Sequence, residues 1–152
     1  MSNSPKNFVW YELMTTDMEA AETFYHAVVG WSPQNFNQPD MRYTVMSAGD
    51  KMVAGLMTLP PEVCAAGGRP GWVGYIGVDD VDAATAGVKK AGGAVHRPAE
   101  DIPNIGRFSV VADPQCGPAE GNRTGIERSA RTDYSKERFA AERLARADQK
   151  LP

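Results

Sequence analysis

Residues 8–16 alternate with period two, Val9, Tyr11 and Leu13 falling on one face and Trp10, Glu12 and Met14 on the other, which predicts a strand. From Met18 the period lengthens. Ala21, Phe24, Tyr25 and Val28 form an apolar stripe through residue 29, with Glu19, Glu22 and His26 off it, which predicts an amphipathic helix with its stripe buried. Asp17 can cap that helix by accepting a backbone N–H, and Gly30 can close it. Short apolar runs at 31–36, 41–47 and 52–59, separated by turn residues at 37–40 and Gly49-Asp50, complete a βαβββ pattern.

The pattern then returns. Residues 72–78 predict a strand, Asp80 a cap, and 81–91 a helix with Val81, Ala84, Val88 and Ala91 inward; Gly92-Gly93 stops it. Strands follow at 94–97 and 107–112, with a loop at 98–106. At an offset of 63 (80 − 17) the copies agree at Asp17/Asp80, Ala20/Ala83, Ala21/Ala84 and Gly30/Gly93. The chain divides into a first module at 1–60, a Pro/Gly-rich linker at 61–71, a second module at 72–115 and a polar tail at 116–152, partly helical or disordered. One such unit cannot bury its own apolar face, so the copies should pair with each other or with a second chain.

A repeated strand, capped Ala-rich helix, Gly and three short strands resembles the vicinal oxygen chelate superfamily, which includes glyoxalase I, bleomycin-resistance proteins and extradiol dioxygenases. The resemblance covers about residues 7–115. It implies an α+β fold in which two βαβββ modules form an open, cup-like sheet with the helices outside. It also implies a divalent metal in the cup, held by first-strand and last-strand side chains of each module. The first-strand positions, seven residues before each capping Asp, are Trp10 and Val73, which cannot bind a metal. The last-strand position of the first module falls within 53–57, which offers no donor, and that of the second falls on Glu120, close to Pro118. The expectation is no metal at the usual site and no cofactor.

The resemblance instead turns Trp10, Glu12, Val73 and Tyr75 into the cup, together with some of Tyr43, Met46 and Met57. That lining suits a flat or apolar small molecule. Trp10 and Tyr75 read equally as filling, and Glu12 as the partner of Arg107 or Arg42, or as a general base beside a carbonyl. His26 and His96 read as surface residues. Two functions follow: a metal-free binder of a small molecule, or a glyoxalase- or dioxygenase-like enzyme using a relocated divalent metal or Glu12. A third is half of a longer tandem protein.

Charge and composition narrow the partners. Residues 1–115 carry 8 Lys/Arg against 13 Asp/Glu and residues 116–152 carry 8 against 6, so an acidic body precedes a mildly basic tail. This argues against nucleic acid, and the lack of a long apolar run argues against a membrane. The start of the chain lacks signal-peptide features and Cys64 and Cys116 read as free thiols, so a cytoplasmic protein is expected. After Gln115 composition and periodicity change together, through either a native tail or an altered reading frame; Tyr134, Phe139 and Leu144 form no stripe. Pro118 predicts that the last strand is atypical or missing, and the sheet edge this would leave open predicts a homodimer.

Overall fold

The computed structural model describes residues 6–36, 42–102, 106–115 and 124–129. The first module consists of β1 (Phe8–Thr15), α1 (Met18–Val29), β2 (Ser32–Asn35), β3 (Tyr43–Ala48) and β4 (Lys51–Thr58). The short α2 (Pro61–Ala65) lies in the expected linker. The second module repeats the plan with β5 (Gly71–Gly77), α3 (Val81–Lys90), β6 (Ala94–Ile102), β7 (Gly106–Ala112) and β8 (Thr124–Ser129). All eight strands form one sheet in the order β2-β3-β4-β1-β5-β8-β7-β6. The pairs β1/β4 and β5/β8 are parallel, and every other neighbouring pair is antiparallel.

The modules meet along β1 and β5, where Trp10 stands opposite Tyr75, Tyr11 opposite Gly74 and Glu12 opposite Val73. Tyr11 and Gly74 are themselves 63 residues apart, so the two-fold relating the modules passes through that pair. Repeat-equivalent side chains are thereby brought together at the seam.

Both helices lie on one face. Leu13, Met46 and Leu56 bury there with Met18 of α1, and Val111 with Val81 of α3. The other face carries no helix among the described residues and gathers Trp10, Val45, Met52, Val73, Tyr75, Phe108 and Val110, with Tyr43, Met14, Phe36 and Ile102 against them. The expected caps are present: Asp17 accepts from the Ala20 N–H at 2.9 Å and Asp80 from Ala83 at 2.9 Å. Gly30 ends α1 at a φ of 73°, which favours glycine. Asp17→Ala and Asp80→Ala should each cost about 1 kcal/mol in urea unfolding; no loss at either site would mean that the caps are not limiting.

Five expectations need correction. The last strand is present as β8: it begins six residues beyond Pro118 and so needs no N–H from that proline. The open edge expected beside β5 and β7 is therefore filled, and the homodimer loses that basis. β6 continues to Ile102, since its edge position and the irregular register between Arg97 and Glu100 accommodate Pro98. On α1, Phe24 and Val28 are 56% and 62% exposed, because Met18, Ala21, Glu22 and Tyr25 face the sheet instead. Glu22 earns that place by accepting from the Thr44 hydroxyl at 2.6 Å and pairing with Arg42 at 3.3 Å. On α3, Ala91 is exposed as the closing residue. Finally, Met46 lies under α1 rather than in the cup, since alternation from Tyr43 puts Val45 on the inner face. Glu120, Cys116 and the tail from 130 lie outside the described residues.

Candidate functional site

The inner face places five of the six expected ligand residues, Trp10, Tyr43, Val73, Tyr75 and Glu12, in one connected group. Strand alternation on β1 turns Trp10 and Glu12 the same way, and the antiparallel register of β5 sets Tyr75 and Val73 across from them. Met57, opposite Tyr43 in the β3/β4 register, is half-buried. Trp10, Val73, Tyr75 and Phe108 fill the floor.

Glu12 lies at the middle of this floor, 9% exposed. Its Oε2 accepts from the Tyr75 hydroxyl at 3.0 Å. The Tyr43 hydroxyl bonds to the same carboxyl, and Trp10 Nε1 donates to the Tyr43 oxygen at 3.3 Å. The polar chain thus runs from the indole through one phenol to the carboxyl, with the second phenol arriving from the other module. Burial raises the Glu12 carboxyl above its ordinary value, and the two phenols and the charge of Arg97 offset only part of this. Burial, and then the charge of Glu12, keep the Tyr43 phenol well above its ordinary value, so it stays a proton donor.

Two glycines make this arrangement possible. Gly55 on β4 stands beside Glu12, and Gly125 on β8 stands in the corresponding place beside Tyr75. A Cβ at Gly55 would fall on the Tyr43 hydroxyl, and one at Gly125 on the Tyr75 ring. Each fourth strand therefore yields the volume occupied by one tyrosine.

Neither suggested arginine reaches Glu12. Arg42 pairs with Glu22, and Arg107 bonds Asp82 at 2.7 and 2.8 Å and Asp101 at 3.2 Å, tying α3 to β6 and β7. The cation felt by Glu12 is Arg97, which lies 4.9 Å above the Phe108 ring and pairs with Glu100. Sequence reading missed Arg97, Phe108, Gly55 and Gly125. Phe108 and Gly125 correspond in strand register to Tyr43 and Gly55, but the 63-residue offset leads from those two to Gly106 and Pro118, so the repeat carried no signal for them. His26 sets Nδ1 against the Trp31 carbonyl at 2.9 Å on the outer side, and His96 is exposed.

Among the described residues the donors do not fit a divalent metal at the family's position. Trp10, Val73 and Gly55 offer none, the Glu12 carboxyl is engaged by phenols, and no group of three His, Cys, Asp or Glu side chains gathers among these residues. What the group can do is accept or hold a proton at Glu12, present phenol donors and stack a planar molecule against its rim.

Paired βαβββ modules around a common inner face define the class of glyoxalase-type folds. The chain belongs to the Glyoxalase/Bleomycin resistance protein/Dioxygenase superfamily, whose sequence profile matches residues 7–117. It is 39% identical over 115 residues to CFP32 of Mycobacterium tuberculosis (strain CDC 1551 / Oshkosh), a protein that carries a glyoxylase name, with 74% of this chain and 42% of CFP32 covered. It is 33% identical over 116 residues to the anthracycline biosynthesis protein DnrV of Streptomyces peucetius, covering 69% of this chain and 42% of DnrV. The chain spans less than half the length of these curated relatives. In fold it resembles methylmalonyl-CoA epimerase from Mycobacterium tuberculosis, with a TM-score of 0.58, 16% identity and 93% and 96% of the two chains covered. No helix among the described residues is long and apolar enough to cross a membrane.

Proposed function

We propose that the protein binds a small, flat aromatic or apolar molecule at the inner face between its two modules, without a metal. The observation that carries this reading is the aromatic floor with a buried carboxyl held between two phenols, beside Trp10 and Val73, which stand where the family would place metal donors. The rim residues Tyr43, Met57 and Met14 are half-buried and adaptable, and would meet the ligand. The name of DnrV points the same way, because an anthracycline skeleton is a fused planar ring system. An exposed Cys64 thiol suits a reducing compartment, in keeping with the cytoplasm. Self-association as a homodimer belongs to this reading, and so does the relation to longer relatives.

Protein stripped with a chelator and shown metal-free by elemental analysis is expected to bind a hydroxylated anthraquinone in calorimetry. Tyr43→Ala should weaken that binding roughly tenfold by removing one stacking ring. Binding that appears only after zinc, nickel, iron or manganese is added would replace this reading with a relocated-metal site.

A second reading is an enzyme in which Glu12 is a general base. The raised proton affinity of its buried carboxyl favours it, since proton abstraction beside a carbonyl needs a base stronger than an ordinary carboxylate. Turnover of a bound carbonyl compound that disappears in Glu12→Gln, with binding retained, would select this reading.

A further inference from the structure

We infer that the molecule taken up at the inner face is an anion, a flat ring system bearing a carboxylate or a similarly acidic group, and that Arg97 is the residue that receives it. The inference rests on the proposed ligand site and adds the charge of its occupant.

Arg97 and Glu100 are three residues apart on β6, and in a regular strand they would point to opposite faces. Here they do not. Arg97 stands opposite Val110 and Glu100 opposite Phe108, so three steps along β6 are matched by two along β7. The extra residue, in the stretch that holds Pro98 and Ala99, turns both charged side chains onto the inner face where Phe108 and Val110 lie. Ala99 packs on the opposite side, with Val81 and Val111.

The guanidinium lies 4.9 Å from the centre of the Phe108 ring, which it covers. Phe108 is buried, whereas the Arg97 side chain is 58% exposed, so the cation faces the open side of the floor. Its Nε meets Glu100, the one carboxylate paired with it among the described residues. A guanidinium has five N–H donors in one plane, enough for a second oxyanion beside the first.

At the other end of the floor, Glu12, Tyr43 and Tyr75 spend hydrogen bonds on one another. Arg97 is then the group that can select a ligand by charge. Tyr75 and Phe108 lie between the two ends with ring centres 6.5 Å apart, and a fused ring system laid over both would set one end at Glu12 and the other at Arg97. Burial already raises the proton affinity of Glu12, so its carboxyl can stay protonated beside an anionic guest.

Calorimetry on the full chain, stripped with a chelator, compares an anthraquinone that bears a carboxylate with the corresponding uncharged carboxamide at neutral pH and low salt. The carboxylate is expected to bind about tenfold more tightly. Arg97→Gln should bring the two affinities within about twofold of each other, and Arg97→Lys, which keeps the charge, should restore part of the preference. Glu100→Gln should widen the preference by removing the competing carboxylate. Equal binding of both compounds by the wild type would overturn the inference and leave the proposed site standing, whereas no binding of either would remove the site and the inference together. A preference that survives Arg97→Gln would also overturn it, since an arginine that only covers Phe108 would weaken both compounds alike and keep their ratio.

Discussion

Glu12→Gln is expected to stabilise the protein at pH 8 relative to the wild type, and to show its smallest difference at pH 4. Because burial raises the Glu12 carboxyl in the folded state, the fold binds this proton more tightly than the unfolded chain does. The associated stability is fully present below the ordinary value of 4.5 and declines as pH rises through the higher folded value. Glutamine keeps an oxygen for the Tyr75 hydroxyl but has no charge to desolvate, so its curve should lack that decline. Urea unfolding at a series of pH values measures this directly. Parallel curves for the two proteins would mean that water or an unseen partner solvates the carboxyl as well as bulk solvent does. A stability gain at neutral pH would also show that an ionised group is kept here at a cost, as expected of a functional position.

The second large effect is expected at Gly125. Gly125→Ala puts a methyl group into the near side of the Tyr75 ring, where the ring cannot swing clear without leaving its bond to Glu12. The expected loss is about 1–3 kcal/mol in urea unfolding, the usual range for an overpacked core. Gly55→Ala should cost less, because there the methyl meets only the far end of Tyr43. Combining Gly125→Ala with Tyr75→Ala should cost clearly less than the sum of the two, since the methyl then enters a space already emptied. Strict additivity would remove Tyr75 from the account of why residue 125 is glycine.

These sites also mark how far the sequence could be read. The repeat was legible because capping Asp, buried strand and closing Gly are local requirements, written within a few residues of one another. The inner-face position of Trp10, Glu12, Val73 and Tyr75 followed once the resemblance had said which side of the first strands forms the cup, because strand alternation does the rest. Arg97, Phe108 and the two glycines depend on register between strands far apart in the chain, which no single stretch encodes. β8 was missed for a different reason. Its segment, TGIERS, lacks the apolar run of a buried strand, and neighbouring β5 and β7 supply the ladder that its own composition does not announce. The α1 stripe misled because periodicity reports that a face is apolar, without saying what covers it. Phe24 and Val28 are apolar and uncovered.

The seam between the modules has a consequence for how such a site can arise. Glu12 and Tyr75 occupy the same position of the repeat, and they touch. Were the modules separate and identical chains, that position would meet its own copy, so an acid would face an acid, and any improvement in one partner would be imposed on the other. Fusion into one polypeptide breaks this symmetry. One half can hold the acid while the other supplies its proton donor, a complementary pair that an assembly of identical modules could not encode.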